Sequence, residues 1–234
     1  MCFQHSKQFT NKIGLRMIDH KKEILKIIGR LSYSKQPEGV FRDWCCMFAV
    51  SMQNSCRILH DERCGRAERK YTDCAKKYSQ DELSMMSEMC AHLVDLFERD
   101  TFRDHLGSIY METFGGNRNM GQCFTPGNLC DAMAKVTVRM QGHDGGPVRI
   151  SDPACGGGAT LIAACGEMHA QGFDYQRMCE IDASDLDELC VDMCYVQLSL
   201  IGARACVRHM DSLSGRHFET YETPMMCIGP LVSW

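Results

Sequence analysis

The stretch VRISDPACGGGATLI, residues 148–162, ends an apolar run in Asp152 and Pro153 and enters a helix-like pattern through Gly156, Gly157 and Gly158. Two further acids follow apolar runs in the same manner: Asp185 in ASDLDE and Asp211 in HMDSL. Parallel α/β sheets bind ligands at the carboxyl ends of their strands. Three strand-tip acids and a glycine loop would therefore share one site. Glycine lets a ligand approach the backbone without a Cβ in the way, which gives Gly156 and Gly158 a function. Three ligands compete for such a loop. A phosphate cradle needs G-x-x-x-x-G-K-[ST], but Ala159 and Thr160 follow Gly158 and no lysine is near. A dinucleotide needs G-x-G-x-x-G, but Leu161 stands where the third glycine belongs. S-adenosylmethionine carries a cationic sulfonium, an amino group, two ribose hydroxyls and an adenine amino group. Asp152 suits its cationic end, Asp185 the ribose and Asp211 the adenine. The competing explanation is that each aspartate only caps the helix after its strand.

The elements that must position these residues are legible as alternating strands and helices. PVRIS reads as a strand, and GATLIAACGEMHAQ as a helix with Leu161, Cys165 and Met168 aligned. YQRMCEIDAS reads as the next strand. A helix follows with Leu189, Met193, Val196 and Leu200 on one face, and Gly202 suits its C′ position. RACVRHM and PMMCIG read as two more strands. Thr125 and Pro126 suit the N-cap and first position of a helix whose apolar face is Leu129, Met133 and Val136. Such alternation implies a parallel sheet covered by helices.

Before residue 100 the pattern is helical. Ile24, Ile27, Ile28 and Leu31 make one stripe; Phe41, Trp44, Cys45, Phe48 and Met52 make another. SQDE at 79–82 has the form of a capping box, opening a helix with Leu83, Met86, Met89, Cys90 and Leu93. The turn-prone FGGNRNMGQ lies between the two kinds of pattern. The division expected is a helical region over 1–105 and an α/β domain over 106–234.

Of the 234 residues, 44% are hydrophobic and 24% charged, as in ordinary globular chains. No run approaches the roughly 20 apolar residues of a membrane span. The first residues lack the apolar core of a signal peptide, so a cytoplasmic protein is expected. Sixteen cysteines are scattered through apolar runs with no C-x-x-C pair. They read as buried thiols rather than as zinc ligands or disulfides, and no metal is expected. Residues 1–80 hold 16 Lys and Arg against 8 Asp and Glu, whereas 81–234 hold 10 against 22. Arg63, Arg66, Arg69 and Lys70 cluster in the basic part. That asymmetry points to a polyanion such as DNA, or to a basic surface docked on the acidic half.

The ordered motifs resemble one family. GQCFTP, 121–126, resembles the G-[QE]-[FY]-[FY]-T-P signature of the N-6 DNA methylases, which include the modification subunits of type I restriction systems. DPACGGGATLI is similar to the family's D-P-A-C-G-S-G-G loop, DHLGSIYMETF to the short helix before it, and MDSL to its G-D-[ST]-L element. DLDELCVDMCYVQLSLIG is similar to its acid, helix and terminal glycine. The resemblance spans roughly residues 100–215. It implies a Rossmann-like, S-adenosylmethionine-dependent methyltransferase core with a C-terminally short parallel sheet. Phe124, Thr125 and Pro126 would line the methionine end. Asp152, Pro153, Gly156 and Gly158 would form the cofactor loop. Asp185 with Leu186 would hold the ribose, and Asp211 with Ser212 the adenine.

The family moves a methyl group to adenine N6 in DNA, with the base extruded into the pocket. Its [ND]-P-P-[FYW] element at the end of a fourth strand holds that base. Here Ile228, Gly229, Pro230 and Leu231 stand in its place, and isoleucine cannot accept the amino hydrogen bonds. Trp234 offers a stacking face. The expected partners are DNA, through the basic N-terminal region, and a partner subunit or second copy. The alternative is a non-catalytic relative that binds DNA or regulates a restriction–modification system.

Overall fold

The computed structural model describes residues 18–56, 62–115, 125–139 and 146–228. The helical region comprises α1 (His20–Leu31), α2 (Pro37–Cys56), α3 (Glu62–Ala75) and α4 (Gln80–Arg99), and α5 (His105–Phe114) follows it. The expected stripe of α1 is buried at Ile24, Ile27, Ile28 and Leu31. The capping box of α4 forms: Glu82 N donates to Ser79 Oγ, and Ser79 N donates to Glu82 Oε2 at 2.8 Å. Such a cap is worth about 1 kcal/mol. Trp44 on α2 is buried and donates its indole N–H to Cys90 on α4.

The sheet is built from β1 (Val148–Asp152), β2 (Cys179–Asp185), β3 (Ala205–Asp211) and β4 (Arg216–Glu222), in that spatial order. β1, β2 and β3 are parallel; β4 returns antiparallel to β3. Helix α6 (Gly127–Thr137) precedes β1. Helix α7 (Ala159–Ala170) and the single turn α8 (Tyr175–Met178) join β1 to β2. Helix α9 (Glu188–Leu200) joins β2 to β3, and the single turn α10 (Pro224–Cys227) follows β4.

Helix α9 is buried all round because the sheet lies on one side and α2 on the other. Gly202 takes φ +71° just beyond its end, as a C′ glycine does. Buried residues from Ile24 to Tyr221 form one continuous hydrophobic cluster, so the helical region and the sheet share a core. Nine of the described cysteines are buried free thiols. Among the described residues, no helix is long and apolar enough to cross a membrane.

Three local expectations are corrected. Pro126 is the N-cap of α6, with ψ 137° and no side-chain cap; its carbonyl receives the N–H of Leu129 and Cys130. The helix therefore starts one residue later than Thr125 as N-cap would place it. Its buried face is also different. Cys130 and Ala134 pack on Ala163 of α7, where small residues let two helices approach closely, and Leu129, Met133 and Val136 are exposed. PMMCIG is not a strand. Thr223 Oγ1 donates to Ala203 O and accepts from Ala205 N, which closes the sheet edge, and Pro224 then opens α10.

The extra strand is instead β4, RHFETYE. Only Tyr221 of it is buried, so its sequence lacks the apolar run that marks an interior strand. Ile228 thus follows a helical turn rather than ending a fourth parallel strand, and its side chain is exposed. Gly229, Pro230, Leu231 and Trp234 lie outside the described residues. Among the described residues, β1 pairs only with β2.

Candidate functional site

Parallel pairing brings the ends of β1, β2 and β3 side by side, and their loops are stitched together by hydrogen bonds. At the tip of β1, Asp152 accepts from Ala154 N at 3.1 Å and from Thr160 Oγ1 at 2.8 Å. It thereby fastens the strand to the first turn of α7. At the tip of β2, Asp185 accepts from Gly156 N and from Asp187 N, both at 2.9 Å. One carboxylate thus spans the glycine loop and the approach to α9. Cys155 N donates to Ser184 O at 3.0 Å. Ser212, beyond β3, donates to Pro153 O at 2.8 Å, and its oxygen lies 3.0 Å from Ser184 Oγ. Ser212 has one hydroxyl hydrogen, so Ser184 is the donor of the second bond.

Asp211 behaves differently. It accepts from Leu213 N, Ser214 N and Ser214 Oγ, all within its own turn. These bonds, Ser214 foremost, hold its carboxyl below the ordinary aspartate value. None of the three caps a helix: Gly158 and Asp187 are the N-caps of α7 and α9, and a turn into β4 follows Asp211. Bracing their loops is compatible with ligand binding, because each carboxylate oxygen can accept more than one hydrogen bond. Leu186 and Leu213 are exposed beside Asp185 and Asp211 and give this rim apolar faces. His209 Nε2 lies 3.0 Å from Leu186 O, and the His209 ring stacks on Phe218 with centroids 4.6 Å apart.

The glycines divide in role. Gly156 has φ 52° and presents its N–H to Asp185. Gly158 has φ 90° at the head of α7, and a Cβ there would stand 3.0 Å from Cys194 Sγ on α9. The smallness of Gly158 is therefore demanded by the protein's own interior, a reason that the ligand-clearance argument did not contain. Thr125 and Pro126 stand at the head of α6, which packs on α7. Phe124 lies outside the described residues.

Sequence reasoning missed Gln197. Its side chain is fully buried on α9. Nε2 donates to Gly157 O and to Asp104 Oδ1, both at 2.8 Å, and Oε1 accepts from Leu106 N at 3.0 Å. The glycine loop is thereby tied to the start of α5. Burial pushes the Asp104 carboxyl up, against the pull of Gln197 and Gly107 N. The available signal was a lone amide in an apolar helix, since a buried polar group must find partners.

A second buried polar centre joins the helical region to the sheet. Lys70 on α3 approaches Glu188 Oε1 at 2.8 Å, Tyr221 Oη at 2.8 Å and Asp192 Oδ1 at 3.7 Å. Complete burial pushes the Asp192 carboxyl up to about 7, with Lys70 opposing the shift. Arg42 on α2 pairs with Asp187 at 3.1 Å. Part of the basic half is thus docked on the acidic half. Arg66 and Arg69 are exposed on α3 without an ion pair among the described residues. With Arg42, Lys70 and Lys77 they line a cleft of about 500 Å³ whose walls also carry Asp43, Asp73, Glu188 and Asp192.

The sequence model of the N-6 DNA methylases matches residues 101–228. No curated protein matches the chain. The matched span contains α5, α6 and the whole sheet with its strand-tip acids, and it is more than half of the chain. The chain belongs to the N-6 DNA methylase family.

Proposed function

We propose that this chain binds S-adenosylmethionine at the tips of β1, β2 and β3 and methylates adenine N6 in DNA when its base-holding element is complete. The observation that carries this reading is the carboxylate of Asp185, which bridges Gly156 of the loop to the start of α9 and keeps acceptor capacity toward the site. The acceptor set suits the cofactor: carboxylates for its hydroxyl and amino groups, beside the exposed apolar Leu186. Asp152 and Pro153 with Gly156 and Gly158 form the loop, Asp185 with Leu186 takes the ribose, and Asp211 with Ser212 takes the adenine. Phe124, Thr125 and Pro126 close the methionine end. When bound, S-adenosylmethionine supplies an electrophilic methyl group. The cofactor falls to residues 106–234, and the DNA backbone to the basic helical region over 1–105, where Arg66 and Arg69 are exposed.

A second reading is favoured by Ile228, which is exposed after α10 and offers no acceptor for an amino group. On that reading the chain holds the cofactor or DNA without transferring methyl groups by itself. Either a partner subunit or second copy completes the site, or the chain regulates a restriction–modification system. Calorimetric titration with S-adenosylmethionine tests the shared part. Asp185→Ala removes two charge-assisted hydrogen bonds and should weaken binding on the order of 100-fold. Wild-type protein that does not bind the cofactor, or a variant that binds equally well, removes the assignment. Labelled methyl transfer to adenine-containing DNA, with and without a partner, separates the two readings.

A further inference from the structure

Helices α1 and α4 pack side by side, and at one place in that contact two histidines and an aspartate converge. His20 is the first residue of α1. His92 and Asp95 are three apart on α4, a spacing that puts both on one helix face. His20 Nδ1 lies 2.9 Å from His92 Nδ1 and 3.1 Å from Asp95 Oδ2. One ligand atom from each residue lies within 4.8 Å of the other two. His20 is buried, whereas Asp95 opens to solvent. Two imidazole nitrogens this close must share a proton or share a cation. Metal–nitrogen bonds are about 2.0–2.1 Å, so a 2.9 Å separation subtends about 90° at a metal and a 3.1 Å separation about 97°. Those are angles between neighbouring ligands of one coordination sphere.

We propose that His20, His92 and Asp95 form a binding site for a divalent first-row transition ion, with zinc the best suited. Two neutral imidazoles and one carboxylate are borderline ligands, which favour such ions over calcium or magnesium. The half-exposed side of Asp95 leaves the remaining positions to water. Glu88 Oε1 lies 3.8 Å from His92 Nε2 and can orient that ring from outside. Lys21 follows His20, but its ammonium is drawn to Glu112 at 2.6 Å and to Ser108, away from the site. Among the described residues His20 Nε2 is buried without a partner, so the second support that tight sites possess is missing there. The affinity expected is therefore micromolar. The ion would cross-link α1 to α4 and stabilise the helical region by mass action.

Cobalt(II) titration of the full-length protein is the test. The expected result is one equivalent bound with visible d–d bands, no sulfur-to-metal charge transfer, displacement by zinc, and a raised melting temperature. The absence of sulfur bands matters because the chain has sixteen cysteines. His92→Ala and Asp95→Asn should each weaken binding by at least about tenfold. Both alter side chains that reach the surface, so they are preferred to the buried His20; thermal melts of each establish that it folds. No saturable binding by the wild type, a cobalt–thiolate spectrum, or binding that survives both substitutions overturns the site. Loss of S-adenosylmethionine binding would leave it untouched, because the two sites share no residue.

Discussion

Gln197 carries the sharpest consequence at the scale of one residue. Its amide meets three partners: Gly157 O and Leu106 N, both buried, and Asp104 Oδ1, which is half-buried. A leucine of similar size would fill the space and satisfy none of them. Unpaired buried polar groups cost about 1–3 kcal/mol each, although Asp104 retains the Gly107 N–H. Gln197→Leu should therefore destabilise the fold by roughly 2–4 kcal/mol. Urea denaturation measures this, and a loss below the usual scatter of a surface substitution would show that the amide does not clamp the loop. The neighbouring glycine argues in the same direction. Gly158 combines a left-handed backbone with a Cys194 contact, so the loop is held in shape from behind by α9 whether or not a ligand sits in front.

At the scale of elements, α3 separates two uses of positive charge. Lys70 is consumed by Glu188 and Asp192, whereas Arg66 and Arg69 are exposed on the same helix beside the cleft, without an ion pair among the described residues. If that cleft meets a DNA backbone, Arg66→Ala with Arg69→Ala should reduce the slope of log affinity against log salt by about 1–2. Fluorescence anisotropy at several salt concentrations reads the slope; an unchanged slope assigns DNA contact elsewhere. Which elements were legible in the sequence follows the same physics. SQDE announced α4 because a capping box is a local hydrogen-bond pattern. Asp152, Asp185 and Asp211 fell at strand tips because each closes a short, partly apolar run. β4 escaped because an edge strand buries almost nothing, and PMMCIG misled because Thr223 and Pro224 redirect the chain through contacts made across the sheet. The face of α6 was misread because Cys130 and Ala134 outcompete larger residues where close approach to α7 is needed. His20 and His92 are 72 positions apart, so only packing brings them together.

On the scale of the whole molecule, the joint between the helical region and the sheet is electrostatic as well as apolar. Asp192 lies at its centre, buried between Lys70 of α3 and Tyr221 of β4. Burial dominates its titration and raises it from the ordinary 3.8 to about 7, while Lys70 pulls the other way. An acid with a raised folded pKa keeps its proton longer in the folded state than in the unfolded chain. Its stabilising contribution is then full below about pH 4 and is lost as pH rises to about 7. Asp192→Asn removes that titration. The stability of the variant relative to wild type should increase from about pH 4 to about pH 7, by up to about 4 kcal/mol for a shift of this size, and stay level above it. Measuring both proteins at each pH cancels the titration of carboxylates remote from Asp192, whose acidic neighbours are Glu188 and Glu219. A difference independent of pH would mean that Lys70 keeps Asp192 ionised throughout, and that an ion pair rather than a protonated acid holds α3 against α9 and β4.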